Sequence, residues 1–385
     1  MNTCTRILEH LLDESETSMR TTCERFARKE IAPFVYEWEE AETFPRDLYL
    51  KAGKAGILGA CFPEEMGGAG GNEVHAMMVT EGLIHGGSSG VVVGLGSLGI
   101  ALPPIVQAGA PDQIERFVRP AIAGKKITAL AVTEPGTGSD VAGVRTRAVR
   151  DGEDYRITGN KLFITSGVRA DYVTTLCRTG DDPHGGLTFF VVEKGMPGFE
   201  VSKGLKKTGW RCSDTAELAF DDVRVPARNR IGAEGSAFVT LMRNFQAERL
   251  GLAVMGHASA ELALMEAAAY ARERQAFGKP LTGFQVTRHK LAEMATKVLA
   301  AKTLNYQVAR RVAAGEYLVA EVSMAKNFSA QIAQEVCYDA VQIFGGMGYM
   351  RETLAERLSR DVRLLPIGGG TQEIMNEIIA KVLAV

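Results

Sequence analysis

The residues with the clearest potential for chemistry lie in one loop, which spans Ala129–Arg145 and reads ALAVTEPGTGSDVAGVR. Gly136 and Gly138 allow backbone N–H groups to approach a ligand closely, and Ser139 adds a hydroxyl. Taken alone, such a loop is more typical of a plain turn rich in glycine and serine. A binding site is therefore expected only if other segments support it.

Four other segments stand out further along the chain. They read KLFITSG at 161–167, RQAFGKPLTGFQ at 274–285, QIFGGMGY at 342–349 and RDVRLLPIGGGTQEIM at 360–375. The six histidines show no H-x-x-x-H or His/carboxylate spacing, so a metal site is not expected.

A glycine pattern at Gly94–Gly99, GLGSLG, formally matches the G-x-G-x-x-G turn of dinucleotide-binding folds. In that fold a helix must follow the turn, but Pro103 and Pro104 interrupt it almost at once. No second βαβ unit follows either. We therefore expect a glycine-rich helix here, with open space beside its missing side chains.

The composition narrows the class of protein. The 385 residues include 44 Lys+Arg and 46 Asp+Glu, for a formal net charge of −2, and 46% are hydrophobic. These values exclude a disordered or collagen-like chain, and the near-zero net charge argues against nucleic-acid binding. No uninterrupted apolar run approaches the roughly 20 residues of a membrane helix, so we expect no membrane span.

The start of the chain and the cysteines favour a cytoplasmic location. The first 20 residues, MNTCTRILEHLLDESETSMR, contain acids and lack the apolar core of a signal peptide. Scattered cysteines without a C-x-x-C pair are typical of reduced thiols in a cytosol-like compartment. They are Cys4, Cys23, Cys61, Cys177, Cys212 and Cys337.

Hydrophobic periodicity divides the chain into three blocks. In residues 1–127, segments such as Thr21–Glu39 and Val74–Ile84 follow a period of 3.6, which predicts an α-helical domain. In residues 128–233, short runs such as DYRITGNKLFIT, DYVTTLC, LTFFVVEKG and AELAFDDVRVP predict a domain of antiparallel strands. The absence of intervening helices disfavours a parallel βαβ sheet.

Helical periodicity returns in residues 234–385 in longer elements. Phe238–Arg274, Phe284–Ala314 and Ala320–Phe344 are of comparable length, and Thr371–Ala384 closes the chain. Long helices joined by short turns pack as a bundle. The expected fold is therefore α+β, with an N-terminal helical domain, a middle antiparallel β-domain and a C-terminal four-helix bundle.

The five segments, in this order and spacing, resemble the acyl-CoA dehydrogenase family. TEPGTGSD, R-x-x-F-G-K, QIFGG-x-GY and RD-x-R…GGT-x-E-I are family markers, and the likeness extends from FARKEIAP to EIIAKVL. The family has the same three-domain order. The resemblance implies an FAD-dependent oxidoreductase of fatty acid β-oxidation, arranged as a homotetramer that is a dimer of dimers.

The resemblance also implies where FAD binds, between the β-domain and the bundle and partly across a subunit contact. Phe163 takes the place of the usual tryptophan beside the flavin ring, which keeps an aromatic plane but loses an indole N–H. Arg274, Phe277 and Gln285 would reach the adenine-dinucleotide half from a neighbouring subunit. The full implied set is Leu130, Ala131, Val132, Thr133, Gly138, Ser139, Phe163, Ile164, Thr165, Arg274, Phe277, Leu281, Phe284, Gln285, Gln342, Gly345, Gly346, Thr371 and Glu373.

Dehydrogenation of an acyl-CoA requires a base that removes the α-proton. Most family members carry it as Glu in a Y-E-G-T segment, but here the segment is IGGGT, with Gly369 at the Glu position. In the long-chain and isovaleryl-CoA dehydrogenases the Glu lies on a bundle helix, and the matching NFQAERL supplies Glu248. We therefore predict that Glu248 abstracts the α-proton while the β-hydride passes to flavin N5, and that the acyl chain raises its pKa. The alternative is a helix-surface acid paired with Arg249 or an i±4 neighbour.

The resemblance assigns the thioester to the same region. The implied substrate-binding residues are Ser139, Gln246, Arg249, Gly369 and Gly370. The Gly369 N–H and an FAD ribityl hydroxyl would donate to the thioester oxygen. Arg249 either orients the base and tunes its charge or forms a structural ion pair. The sequence favours neither role over the other.

The glycines of GLGSLG bear on the substrate. The helix that carries them flanks the acyl tail in the family, so Gly94, Gly96 and Gly99 favour a medium-to-long or methyl-branched acyl-CoA. Close helix packing would use glycine equally well.

The sequence is compatible with three functions. The first is a dehydrogenase that passes electrons to an electron-transfer flavoprotein. The second is a superfamily oxidase or monooxygenase that reacts with O₂. The third is a non-catalytic flavoprotein that binds nucleic acid or a protein, which the net charge of −2 disfavours. The basic cluster Lys203, Lys206 and Lys207 is interpreted as a solvated face.

Overall fold

The computed structural model describes residues 6–385, and its first block consists of helices that end at Ile122. Cys4, one of the expected free thiols, lies outside the described residues; the other five cysteines are free. The helices are α1 (Arg6–Glu9), α2 (Glu14–Glu30), α3 (Val35–Ala41), α4 (Asp47–Lys54), α5 (Glu73–Ile84), α6 (Ser89–Gly96), α7 (Leu98–Ala101), α8 (Pro103–Ala108), α9 (Pro111–Gln113) and α10 (Arg119–Ile122).

The continuous helical segment predicted at Thr21–Glu39 is interrupted. α2 ends at Glu30 and α3 begins at Val35. Pro33 lies in this gap and has no N–H to continue the helical hydrogen bonding. Amphipathic periodicity persists across the break, which is why the pattern did not reveal it.

One segment of the first block corrects the expectation about apolar runs. Ser89–Ala108 has the length and mean hydropathy, 1.8, that a membrane-crossing helix requires, because its glycines and serines barely lower the average. In the structure it forms three consecutive short helices, α6, α7 and α8, and 67% of it is buried inside the protein. The GLGSLG pattern lies across the α6–α7 junction and is helical, as the sequence predicted.

The middle block is an eight-stranded sheet. The order of seven strands is β6-β7-β3-β2-β4-β5-β8, and β1 pairs with β4. The β1–β4 pair is parallel, as is the single β2–β4 contact, so the sheet is mixed rather than wholly antiparallel. The strands are β1 (Thr128–Ala131), β2 (Arg147–Asp151), β3 (Asp154–Thr165), β4 (Tyr172–Arg178), β5 (Leu187–Glu193), β6 (Phe199–Gly204), β7 (Thr215–Val225) and β8 (Arg230–Ile231).

The last block contains the long helices of the predicted bundle. They are α11 (Ala237–Glu273), α12 (Gln285–Ala313), α13 (Val319–Phe344), α14 (Leu354–Asp361) and α15 (Gln372–Leu383), and a small hairpin, β9 (Gln275–Ala276) and β10 (Lys279–Pro280), separates α11 from α12. This order of helices, sheet and bundle confirms the predicted fold class.

The first block crosses the bundle along α11. Asn244 Nδ2 donates to the carbonyl oxygen of Ile100 at 2.7 Å, and Ser89 Oγ lies 3.5 Å from Ser259 Oγ. Because these contacts join the start of α6 and the end of α7 to two points on α11, the segment between them runs antiparallel to α11.

A buried charged network also joins the two blocks. Glu81 of α5 lies 2.7 Å from His257 Nε2 and 3.5 Å from Lys302 Nζ, and it accepts from the Tyr306 hydroxyl at 3.1 Å. Burial opposes ionisation of Glu81, but Lys302 and the hydrogen-bonded His257 lower its pKa to about 2. Glu81 is therefore a buried carboxylate held charged by the bundle.

Candidate active site

The predicted base lies on the longest helix. α11 runs without interruption from Ala237 to Glu273, and Glu248 lies in its N-terminal half with a partly exposed side chain. Burial raises the pKa of Glu248, while the positive charges of Arg249 and Lys326 oppose that rise. A carboxylate with a raised pKa in a cleft is suited to accept a proton near neutral pH.

Gly369 lies directly against this carboxylate. A Cβ atom placed on Gly369 would be 3.7 Å from Glu248 Oε1 and only 2.5 Å from Leu252 Cδ1. The backbone of Gly369 is also left-handed, with φ +66°, which disfavours any side chain. The structure therefore brings together the two predicted positions, and the Glu248 carboxylate occupies the place beside the backbone of Gly369.

Two cationic side chains bind the backbone carbonyls of the glycine loop. Arg249 Nε donates to the carbonyl oxygen of Gly369 at 3.2 Å, and Lys326 Nζ donates to that of Gly370. In the described part of the chain Arg249 makes no ion pair with Glu248 within 4.0 Å, and its charge acts on the carboxylate from a greater distance. The predicted substrate residues Arg249, Gly369 and Gly370 thus form one cluster with the base.

Lys326 is the residue of this cluster that sequence reasoning missed. Its side chain is fully buried, and burial, followed by repulsion from Arg249, lowers its pKa to about 8. The available signal is a lone lysine among the small and apolar residues of SMAKNFSAQIA on α13. A lysine there needs a buried acceptor, but the sequence does not show which one.

The remaining predicted substrate residues lie in two places. Gln246 is partly buried on α11, and its side-chain Oε1 has no hydrogen-bond partner among residues 6–385. Ser139 is exposed in the loop after β1. The Gln246 oxygen is therefore a buried acceptor that no group in the described structure satisfies.

A second group of predicted residues converges on one edge of the sheet. Leu162 N–H donates to the Thr133 carbonyl at 2.8 Å, which places the loop after β1 beside the end of β3. Phe163 lies where the register between β3 and β7 shifts, with φ 60° and 64% of its surface exposed. An exposed aromatic ring on strained backbone is a candidate stacking surface for a planar ligand.

Buried charges support this edge. Lys161 Nζ donates at 2.9 Å to both Glu134 Oε1 and the Val132 carbonyl, and Glu134 accepts from the N–H groups of Arg145 and Thr146. These hydrogen bonds fix the TEPGTGSD loop through Glu134. Of the predicted flavin residues at this edge, Gly138 is exposed and Thr165 is partly exposed. Four others are buried: Leu130, Ala131, Val132 and Ile164.

A third group lies at the far end of the bundle. Phe277 is 96% exposed on the hairpin with φ 52°, and Tyr270 stacks on Phe344 at 4.2 Å, which places the hairpin end of α11 beside the end of α13. The predicted residues of this group are Arg274, Phe277, Leu281, Phe284, Gln285, Gln342, Gly345 and Gly346. The α11 axis separates Arg274 from Glu248 by roughly 39 Å at about 1.5 Å per residue. Within one chain this group therefore lies far from the Glu248 cluster.

The last two predicted cofactor residues begin α15. Thr371 caps the helix by accepting from the Ile374 N–H at 3.3 Å, and Glu373 is exposed in its first turn. They lie directly after the glycine loop, next to the cluster around Glu248. No three His, Cys, Asp or Glu side chains within 6–385 are grouped so that they could hold a metal ion.

Comparisons with known proteins cover all three blocks. Models of the acyl-CoA dehydrogenase N-terminal, middle and C-terminal domains match residues 13–125, 129–223 and 236–384. The pig long-chain specific acyl-CoA dehydrogenase, a mitochondrial protein, is 38% identical over 97% of this chain and 87% of its own length.

Solved structures agree with the sequence comparison. A protein from Mycobacterium abscessus described as a probable acyl CoA dehydrogenase is 55% identical with a TM-score of 0.95, covering 97% of this chain and all of its own. A glutaryl-CoA dehydrogenase from Mycobacterium smegmatis in complex with FADH2 is 30% identical with a TM-score of 0.92, covering 97% of this chain and 96% of its own.

Proposed function

The chain belongs to the acyl-CoA dehydrogenase family of FAD-dependent oxidoreductases, and on this basis we propose a complete reaction for it. Glu248 removes the α-proton of a medium-to-long or methyl-branched acyl-CoA, and the product is the trans-2-enoyl-CoA. Electrons then pass to an electron-transfer flavoprotein. The observation that best supports this proposal is that a Cβ atom built on Gly369 would lie 3.7 Å from Glu248 Oε1.

That distance supports Glu248 as the base because α11 and the glycine loop meet at this point. A Cβ at 369 would overlap Leu252 Cδ1 at 2.5 Å, so position 369 has no room for the side chain of a base, while the Glu248 carboxylate lies within contact distance of it. Burial raises the pKa of Glu248, which strengthens it as a base, and the positive charge of Arg249 opposes that rise.

The glycine loop supplies a donor for the thioester. Within the described residues, no backbone or side-chain acceptor receives the Gly369 N–H, whereas the Gly369 carbonyl is held by Arg249. A free N–H beside the base can stabilise negative charge that develops on a thioester oxygen. Lys326 and Arg249 fix the loop so that this donor does not have to reorganise.

The chain fits FAD at two surfaces. The exposed ring of Phe163 and the fixed loop after β1 suit a flavin ring, and added Cβ atoms on Gly138, Gly345 and Gly346 would meet nothing within 4 Å. When bound, FAD supplies the acceptor for the substrate's β-hydride. The protein's part is to place the β-carbon against that ring and to keep water away from Glu248.

We propose that two copies of the chain complete this site. The group around Phe277 lies roughly 39 Å from the Glu248 cluster along α11, farther than one FAD molecule reaches. We therefore include in the proposal a dimer in which Arg274, Phe277 and Gln285 of one subunit bind the FAD of the other, within a dimer of dimers. The domain limits 1–127, 128–233 and 234–385 belong to the same proposal.

A cytoplasmic location is also proposed. It is supported by the five free cysteines within residues 6–385, four of them buried, since disulfides are rare in the cytosol.

The function is tested by anaerobic mixing of the FAD-loaded protein with butyryl-, octanoyl-, palmitoyl- and isovaleryl-CoA. We expect at least one to bleach the flavin absorbance and to give the enoyl-CoA. Reoxidation that is rapid with an electron-transfer flavoprotein and slow in air supports a dehydrogenase, whereas rapid reoxidation in air supports the oxidase alternative. No bleaching by any of the four would contradict the proposal.

A pH profile tests the role of Arg249. Because the Arg249 charge lowers the pKa of Glu248, Arg249→Gln should raise that pKa further. The base must be ionised, so the acid limb of kcat/KM should move to higher pH, and activity at pH 6 should fall more than activity at pH 9. Arg249→Lys keeps the charge and should leave the limb near its wild-type position. An equal loss at every pH in Arg249→Gln would instead indicate a purely structural role.

A further inference from the structure

A fully buried lysine lies in the core of the β-domain. The other buried positions of β3, which are Tyr155, Ile157 and Ile164, belong to the hydrophobic core, but Lys161 on the same strand is also completely buried. Burial of an ammonium group costs free energy even when the group is paired, and apolar residues of similar volume often hold a core equally well. The fold alone therefore does not explain a lysine at this position.

The ion pair between Lys161 and Glu134 is held in one orientation. The Glu134 carboxylate accepts from the N–H groups of Arg145 at 2.7 Å and Thr146 at 2.9 Å, just before β2 begins. Burial raises the pKa of Glu134, but the charge of Lys161 and these hydrogen bonds lower it overall, so the group is a carboxylate. The backbone at 145 and 146 therefore fixes the negative end of the pair.

The positive end of the pair is bound to the loop after β1. Lys161 Nζ donates to the Val132 carbonyl oxygen at 2.9 Å. This carbonyl and the Thr133 N–H belong to one trans peptide group, so they point in opposite directions. The Thr133 N–H thus points away from Lys161, and no acceptor within residues 6–385 receives it. It is an available donor in the loop that the family resemblance assigns to the flavin ring.

The hydrogen bond from Lys161 strengthens that donor. Donation to a carbonyl polarises its peptide group, so the N–H of the same peptide binds an acceptor more strongly. Because Lys161 is fully buried, its charge also acts through a medium of low dielectric constant. A hydride brings two electrons and one proton, so a flavin ring that accepts it gains one negative charge. A strong donor and a nearby cation favour that reduced state.

We infer that Lys161, oriented by Glu134, polarises the Val132–Thr133 peptide toward the flavin and thereby raises the reduction potential of the bound FAD. Lys161 is a positioning residue, because it acts through the backbone and is too deeply buried to contact the ring. The inference rests on the proposed flavin site at this edge of the sheet. It makes the bound flavin a stronger acceptor for the substrate's β-hydride.

The test is the reduction potential of the bound FAD, measured without acyl-CoA by equilibrium reduction against a dye of known potential. Lys161→Met keeps a long unbranched side chain but removes the charge and the donated hydrogen bond. The variant should bind reduced FAD about tenfold more weakly relative to oxidised FAD, since the Thr133 donor is weakened and not lost; losing such a donor costs roughly 10²–10³-fold. For a two-electron couple, this ratio lowers the potential by about 30 mV.

A double variant keeps the test independent of folding. Lys161→Met alone leaves the buried Glu134 carboxylate without its cation, which destabilises the loop. Lys161→Met/Glu134→Gln removes both charges, and proteins tolerate that better than the loss of one partner. Its flavin potential should also be lowered, because the Val132 carbonyl still loses the ammonium donor.

The matched control is Lys302→Met, which removes another buried lysine that is paired with glutamates. Lys302 is 4% exposed and binds Glu261 at 2.7 Å and Glu81 at 3.5 Å in the bundle. This variant should be less stable to heat, because Glu81 loses its buried cation. Its flavin potential should equal that of wild type.

The outcomes separate this inference from the proposed function. A double variant that holds FAD at the wild-type potential would overturn the inference, as would an equal shift in Lys302→Met. Both results leave the dehydrogenase function intact, because no acyl-CoA enters the measurement. Wild-type protein that binds no FAD, or whose flavin no acyl-CoA reduces, would instead overturn the proposed function.

Discussion

Replacing Glu248 with glutamine is expected to reduce the rate of flavin reduction by acyl-CoA about 10²–10⁴-fold, the usual contribution of a general base. Glutamine keeps the size of the side chain and its place beside Gly369, but it cannot accept the α-proton. Because Glu248 has a raised pKa and no hydrogen-bond partner in the described structure, its loss should hardly disturb the fold. The measurement is anaerobic stopped-flow absorbance of the flavin with the best wild-type substrate.

The matched control is Glu266→Gln, which removes another partly exposed carboxylate from the same helix. It should reduce flavin at close to the wild-type rate. FAD content and acyl-CoA binding are measured for both variants, so that a slow rate is assigned to chemistry rather than to a missing ligand. A Glu248→Gln protein that reduces its flavin as fast as wild type would show that the base lies elsewhere.

The catalytic cluster shows how far sequence reasoning reaches. The exchange between positions 248 and 369 was predicted from the resemblance to the acyl-CoA dehydrogenase family, and the structure brings both positions together. Lys326 was not visible, because its partner is a backbone carbonyl on Gly370 and backbone carbonyls leave no mark in a sequence. The Gly369 N–H was predicted because the family resemblance assigns a donor there, whereas the resemblance pointed to no role for Lys326.

Backbone conformation accounts for the other differences. The aromatic character of Phe163 and Phe277 was readable, but their left-handed φ angles and the bulge in β3 were not. The break before α3 depends on one proline inside a continuous amphipathic pattern. The parallel pairing of β1 with β4 depends on where the chain enters the sheet, which local patterning does not encode.

The buried network around Glu81 gives the largest expected effect on stability. Glu81→Gln should lower the free energy of unfolding by about 3–5 kcal/mol, because it removes a buried carboxylate that contacts Lys302, His257 and Tyr306 together. Lys302 would keep Glu261, whose carboxylate lies 2.7 Å away, but would lose its buried partner. The change is measured as a lower midpoint of thermal unfolding of the FAD-loaded protein, or as faster unfolding where the transition is irreversible.

A surface pair in the same bundle provides the control. Glu335, 37% exposed, pairs with Lys297 at 2.6 Å between α13 and α12, so Glu335→Gln removes an ion pair of similar length. That change should cost only about 0–1 kcal/mol, because water screens the exposed charges. Equal losses in the two variants would contradict a special role for burial.

The pH dependence of Glu81→Gln provides an independent check. The folded-state pKa of Glu81 is about 2, below the ordinary value of 4.5, so its contribution to stability is complete above pH 4.5 and is lost as pH falls toward 2. The gap in unfolding free energy between wild type and Glu81→Gln should therefore be constant from pH 7 to 5 and narrow below pH 4.5. A gap that stays constant below pH 4.5 would mean that the Glu81 charge does not stabilise the bundle, and that the variant loses packing instead.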